Sequence, residues 1–318
     1  MDLIAILRSR INALPEGNYT PGLKAVFQHV EVAARHLARG QSTADDTAFT
    51  DAIYRTNQAF EGSLKEAFRV LAGKDPGKER PFDIENYLQQ QSVLRPRVLS
   101  QLTNYRKEWR NPSAHDYSLD FDEDEALLAI VTVSAFAIVL IDQITERIAF
   151  EQARETATAQ ATPVENFHSL TERVVNLLEQ FTAQFNQTYV DRSEIREVSV
   201  VGALSGFLSS TAPDLDSYIE AKLSPEQSGR ADLLLVSGTE KLILEVKLFR
   251  ASRSLGFNSR LIQNSIQQVS NYIAISNIQK AIVYVYGVPN TGKLVRSEHS
   301  PPGVNGQITI VSTEPNVA

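Results

Sequence analysis

Two carboxylates and a lysine stand where a β-hairpin would bring them together: Asp232 in the run RADLLLV, and Glu245 and Lys247 in the run KLILEVKL. Both runs have the apolar, β-branched composition of strands. Ser237-Gly238-Thr239-Glu240 lies between them. A two-residue loop at Gly238-Thr239 places glycine at the first central position, as a type II′ turn requires. That register sets Asp232 directly opposite Glu245, with Cβ atoms about 4.5–5.5 Å apart. Glu245 and Lys247 share a face because strand side chains alternate. Charges on an otherwise apolar face are costly unless they are paired or bind a metal. Two close carboxylates repel, and a divalent cation relieves the repulsion while polarising a bound water. Lys247 is then placed to orient or deprotonate that water, or to neutralise charge in a phosphoryl transition state.

A second constellation is Arg110-Asn111-Pro112-Ser113-Ala114-His115-Asp116-Tyr117. Pro112 disfavours a helical Asn111, so Arg110 is expected to end one helix and His115 to lie near the start of the next segment. An imidazole titrating near neutrality can take a proton from a ribose 2′-OH, and a guanidinium can grip the phosphate. Structural duties for the same pair, capping helices or lining an interface, are the alternative. Trp109 next to Arg110 reads as bundle packing, with stacking on a base as its alternative.

The elements that must carry these residues fall into two halves. The 318 residues suit two domains, and 42% hydrophobic with 22% charged residues is ordinary for a soluble protein. The absence of cysteine excludes disulfides and thiolate zinc sites, leaving carboxylate, histidine and carbonyl ligands that suit Mg²⁺ or Mn²⁺. A net charge of −7 argues against a tight binder of nucleic acid by charge alone. The N-terminal stretch does not read as a secretory signal, and the most apolar run, Ala126 to Ile141, is short of the roughly 20 residues that span a bilayer. A cytoplasmic protein without a membrane segment is expected.

Residues 1–150 read as helices, with apolar residues recurring three and four apart, as at Leu23, Val26, Phe27 and Val30. Breaks are expected at Pro15–Gly17, Gly40–Ser42, Gly73–Pro81 and Arg110–Tyr117, and a helix should follow the acidic Asp120–Glu125. Residues 151–163, rich in Ala, Thr and Gln, form the junction, either as a continuing helix or as a loose linker. Residues 164–318 read as a long helix to about Asn186, a strand at IREVSVVG, a short helix at DLDSYIEAKL and the two motif strands. A helix near Arg260–Ser276, a strand at KAIVYVYG and a further strand at ITIVS complete the pattern.

Residues 160–312 resemble the PD-(D/E)xK nuclease superfamily, most closely its Mrr-like and RecB-like branches, with Ala231 where the family name has proline. The resemblance implies a restriction-endonuclease-like αβββαβ core and an endonuclease that cleaves DNA with Mg²⁺ or Mn²⁺. Gln268 and Tyr272 are similar to the QxxxY element of RecB-like members and would face the site. The superfamily often adds a glutamate from the preceding helix; among Glu165, Glu172 and Glu179 the choice is Glu172, against a plain solvated stripe. Arg250, Arg253 and Arg260 form a candidate phosphate track or a solvated face.

The Arg110 to His115 spacing, with Tyr117 two residues on, resembles the RxxxxH motif of HEPN domains. That resemblance implies an all-helical bundle over residues 1–150, a homodimer and a composite, metal-independent ribonuclease site. The fold expected is therefore α + α/β, a HEPN-like bundle followed by the nuclease core. The function expected is DNA hydrolysis in prokaryotic defence against phage or plasmids. The rivals are an RNA-cleaving protein working through Arg110 and His115, with the C-terminal half binding nucleic acid, and a non-catalytic dimeric adaptor. Gly287–Leu294 imitates a phosphate-binding loop but has leucine where the magnesium-binding hydroxyl belongs, and reads as a turn. His29, His36, His168 and His299 lack ligand spacing.

Overall fold

The protein is described by a computed structural model covering residues 2–115, 119–158, 167–188, 195–227, 229–250, 255–288 and 290–315. It is mixed α and β, a helical N-terminal region followed by a six-stranded mixed sheet. The chain divides into two compact units, residues 1–147 and 148–318.

The first unit is built from α1 (Leu3–Asn12), α2 (Thr20–Thr43), α3 (Thr47–Leu71), α4 (Pro81–Gln90), α5 (Pro96–Tyr105), a π-helical turn (Arg106–Arg110), α6 (Asn111–His115) and the start of α7 (Glu123–Thr158). On α2 the stripe Leu23, Val26, Val30, Ala33 and Leu37 is buried, as its three-and-four spacing requires. The bundle centre holds Phe60 stacked on Tyr105, ring centroids 4.7 Å apart, with Phe136 against it. The buried Tyr105 hydroxyl is matched by Thr56 Oγ1 at 2.7 Å and Asn57 Oδ1 at 2.9 Å, so its polar end costs little. A reciprocal cap opens α7: Asp122 accepts from the Glu125 N–H at 2.8 Å and Glu125 from the Asp122 N–H at 3.0 Å. By length and composition α7 could cross a membrane, yet half of its most apolar window is buried inside the protein, as in a core helix.

Two expected breaks are moved. Gly40 does not end a helix, for α2 continues to Thr43 and stops at Ala44, whose φ of 50° is left-handed. Gly40 is instead a close approach: a Cβ there would meet the Phe49 ring at 2.4 Å. Nor does Pro112 interrupt the chain at Arg110. Asn111 is helical (φ −70°, ψ −47°), and the helix runs from Pro96 through the π turn to His115. The Asn111 N–H bonds back five residues to the Arg106 carbonyl, and the widened turn accommodates a proline that lacks its own N–H.

The second unit contains the end of α7, α8 (Leu170–Thr188), α9 (Glu197–Thr211), β1 (Asp216–Lys222), β2 (Arg230–Ser237), β3 (Glu240–Arg250), α10 (Leu255–Ser276), β4 (Lys280–Val288), β5 (Asn290–His299) and β6 (Gln307–Pro315). The sheet order is β1-β2-β3-β4-β6-β5. β1, β2 and β3 are antiparallel neighbours; β3, β4 and β6 run parallel; β5 closes the far edge antiparallel to β6. Helices α8 and α9 cover one face through Val174, Phe181, Leu204, Leu233, Leu244 and Tyr284, while Val269 and Ile273 of α10 cover the other.

Here two elements exchange identity. IREVSVVG, expected as a strand, opens α9, and DLDSYIEAKL, expected as a helix, carries β1. Ser199–Leu208 of α9 is buried on every side, which erases the amphipathic signature of a helix. Among the described residues β1 pairs only with β2, an edge strand with Asp216, Tyr218 and Lys222 exposed, so its apolar spacing imitates a surface helix. Of the junction, residues 151–158 continue α7, and 159–166 lie outside the described residues. The stretch from Asn290 is strand β5, with no helix after it among the described residues.

Candidate active site

Strands β2 and β3 pair as the turn chemistry demands, from Ser237 opposite Glu240 to Leu233 opposite Leu244. Gly238 carries a φ of 57° while Thr239 does not turn left-handed, the type II′ pattern. The ladder stops one pair further on. In place of a main-chain acceptor, the Val246 N–H finds Asp232 Oδ2 at 2.8 Å, and the Asp232 N–H points at Glu245 Oε2 at 3.5 Å. The other edge of β2 is irregular at the same level, since Glu220, opposite Asp232 in the β1–β2 register, has a left-handed φ of 49°. Ala231 packs with the α10-side core and Leu233 with the α8–α9 core, so strand alternation breaks at Asp232. Such breaks re-aim a side chain out of the sheet pattern. Here the Asp232 carboxylate is turned toward β3.

Lys247 Nζ lies 2.8 Å from Glu245 Oε1 and 3.8 Å from Glu197 Oε1. Glu197 is the first residue of α9, and its other oxygen faces the Leu248 N–H at 3.4 Å. Three acids thus surround one lysine. Glu245 is only 1% exposed. Burial, then the charge of Glu245, pushes Asp232 up to about 7, with Lys247 opposing. Burial likewise raises Glu245 against the pull of Lys247. Burial draws the Lys247 ammonium down, but Glu245, Asp232 and Glu197 together more than offset it and the net shift is upward. A carboxylate pair held above its ordinary range, beside a lysine that stays charged, favours a further cation or a proton.

On α10, one helical turn apart, the Gln268 amide donates to the Tyr272 hydroxyl at 2.6 Å. Burial raises the Tyr272 phenol, and the charges of Glu245 and Asp232 add to the rise, which places the ring within their field. A Cβ on Gly229, just ahead of β2, would meet Ile275 at 2.5 Å and Tyr272 at 3.4 Å. Glycine there lets β2 enter directly beneath α10.

Other expected residues are placed differently. Glu172 lies exposed in the first turn of α8, its N–H bonded to Ser169 Oγ. The acid gathered beside Lys247 is Glu197, which the strand pattern of IREVSVVG conceals. Arg250 bonds the Ile195 carbonyl, and Arg260 is exposed on α10. Glu165 and Arg253 lie outside the described residues. Among the described residues no group of three or more acid or histidine side chains is arranged to hold a metal ion.

In the first unit, Arg110 ends the π turn with its Nε 3.9 Å from Glu61 Oε1 and its Nη1 3.2 Å from Asn111 Oδ1. His115 is the last residue of α6, on the same continuous helix; its side chain lies outside the described residues. Burial and Arg55 lower His29.

No family model matches this chain, and no curated protein or solved structure matches it either.

Proposed function

We propose that the chain is a Mg²⁺- or Mn²⁺-dependent endonuclease that hydrolyses DNA phosphodiesters through Asp232, Glu245 and Lys247, on a PD-(D/E)xK-type core. The observation that carries this reading is the opening of the β2–β3 ladder at Asp232 and Glu245, where a half-buried and a buried carboxylate converge beside Lys247. Their donor atoms are all hard oxygens, and burial raises both carboxyls, Asp232 further through the charge of Glu245, a penalty on the charged forms that a divalent cation would relieve. The residues therefore fit such an ion, with Asp232 and Glu245 as its protein carboxylates and the remaining positions left to water and substrate oxygens. When bound, the ion would supply Lewis-acid activation of a phosphoryl oxygen and of water.

The chain's own groups define the rest. Lys247, kept protonated by its three acids, orients the attacking water and balances charge growing on the phosphoryl oxygens. Glu197, 3.8 Å from Lys247 Nζ, is a second carboxylate partner of the ammonium beside Glu245. The Gln268–Tyr272 pair presents a fixed hydroxyl on the α10 side of the site. Incubating purified protein with plasmid DNA and with RNA, each with Mg²⁺, Mn²⁺ or EDTA, tests the reading. Cleavage of DNA that EDTA abolishes and Asp232→Asn removes is expected, and metal-independent DNA cleavage would overturn it.

A second reading, that the helical unit is HEPN-like and cleaves RNA through Arg110 and His115, draws support from the rare π turn that carries Arg110. Exposed Leu127, Leu128 and Val131 on α7 favour the dimer this reading requires. A cytoplasmic role in defence against foreign nucleic acid belongs to the same proposal and rests on the two resemblances.

A further inference from the structure

Lys222 and Arg230 are directly opposite each other in the β1–β2 ladder, and both are exposed. Like charges so placed destabilise a sheet. Each is held by a main-chain oxygen and not by an acid. Lys222 Nζ donates to the Pro225 carbonyl at 2.6 Å, and Arg230 Nη1 donates to the Glu220 carbonyl at 3.2 Å. Among the described residues neither has a carboxylate within ion-pair distance. In a chain whose net charge is −7, this uncompensated basic pair on the edge of the sheet is a place for an anion from outside the chain.

The pair lies at the rim of the candidate active site. Arg230 precedes Asp232 by two residues, about 6.6 Å along a strand. Glu220, whose carbonyl holds the guanidinium, falls opposite Asp232 in the same register. It is left out of the ladder between the pairs Ile219–Leu233 and Ala221–Ala231, and its φ of 49° is left-handed. That conformation is costly for a residue with a side chain and is concentrated at ligand and active sites. Gly229, the residue before Arg230, passes beneath Tyr272 of α10. Two strand residues also match the spacing of neighbouring phosphates along a nucleic-acid strand. A strand with one phosphodiester at Asp232 therefore brings the next phosphate to Arg230 and Lys222.

We infer that Lys222 and Arg230 are substrate-binding residues that together take the phosphate next to the scissile one on a DNA strand. Their mutual repulsion is stability given up for that contact. The inference rests on the reading of Asp232, Glu245 and Lys247 as a site for DNA, and adds the residues that seat the strand there.

Fluorescence anisotropy of the full chain with a short labelled DNA duplex and its single strand, over a range of salt, tests the contact. It is run in EDTA and again with Ca²⁺ in place of Mg²⁺. Each phosphate contact contributes about 0.7–0.9 to the slope of log affinity against log salt. Lys222→Gln and Arg230→Gln should each make the slope shallower by about that amount, whatever the DNA sequence, and Arg230→Lys should keep most of it. Both side chains are exposed and repel each other, so the variants should melt no lower than the parent. Lys241→Gln removes an exposed lysine at the hairpin end of β3 and should leave the slope unchanged, which separates a local contact from net charge. With Mg²⁺ the Lys222 and Arg230 variants should raise KM severalfold and leave kcat nearly unchanged, as lost uniform binding does. An unaltered slope in both variants would overturn the inference, as would an equal loss in Lys241→Gln. So would slope lost on RNA but not on DNA, or a parent that binds DNA in neither EDTA nor Ca²⁺. A parent that cleaves nothing, yet loses slope in these two variants alone, would remove the metal-site reading and leave the strand contact standing.

Discussion

Replacing Asp232 by asparagine should end DNA cleavage and, in the absence of metal, make the second unit more stable above pH 7. The Asp232 carboxyl, ordinarily at 3.8, is pushed up to about 7 by burial and by Glu245. The folded chain therefore binds this proton more tightly than the unfolded chain between those values. The stability associated with it is fully present below about pH 4 and is lost as pH rises through about 7. Three units at about 1.36 kcal/mol each set a ceiling of about 4 kcal/mol on the loss. Glu245 shares the proton and Lys247 screens the charge, so about 1–2 kcal/mol is expected. Asparagine does not titrate and can still accept the Val246 N–H now held at 2.8 Å, so it should keep the geometry without the penalty. Amide hydrogen exchange of β3 and β4 peptides in EDTA, variant against parent at pH 5 and at pH 8, measures the difference. The variant's advantage should be small at pH 5 and larger at pH 8. Saturating Mg²⁺ should stabilise only the parent, by about 2.7 kcal/mol at a hundred times the dissociation constant. A variant less stable than the parent by the same amount at both pH values would refute the strained-carboxylate argument, whatever its activity.

Three further outcomes are expected. Lys247→Ala should slow DNA cleavage by about a hundredfold or more at every Mg²⁺ concentration and leave RNA cleavage unchanged, whereas His115→Ala should remove only metal-independent RNA cleavage. Kinetics of each variant on each substrate read this; equal loss of DNA cleavage in both would sink the two-site scheme. Glu197→Gln should lower DNA cleavage by about ten- to a hundredfold, the usual cost of a lost supporting contact, while Glu172→Gln should leave it intact. The reverse order would return the supporting role to α8. Light scattering should find a dimer at micromolar concentration that Leu128→Asp converts to a monomer, and a monomeric parent would remove the dimer from the proposal.

The local chemistry of the second unit was legible because it depends on near neighbours. Gly238 selects the turn, the turn sets the register, and the register places Asp232 against Glu245 with Lys247 on the same face. In the first unit the three-and-four apolar spacing was equally readable, since a surface helix buries one stripe. Other features depend on residues far away in the chain. Valines and isoleucine in Ile195–Val201 suit a strand by propensity, but α9 packs beside α8 on one face of the sheet and against the end of α7, where a helix buried all round carries no periodicity. That misreading hid Glu197. Residues 216–222 become an edge strand only because β2 offers its open side. Pro112 forbids an ordinary helical hydrogen bond, yet the π turn around it lets the helix continue. The opening of the ladder at Asp232 was invisible for the same reason: ideal pairing predicts two opposed side chains, whereas the folded sheet turns one carboxylate into the place of a main-chain acceptor. The sequence by itself thus determined the residue types, the turn and the register. The tertiary structure decided which buried segment became helix, which acid joined Lys247 and where the strands part, because those choices minimise unpaired polar groups and exposed apolar surface over the whole unit.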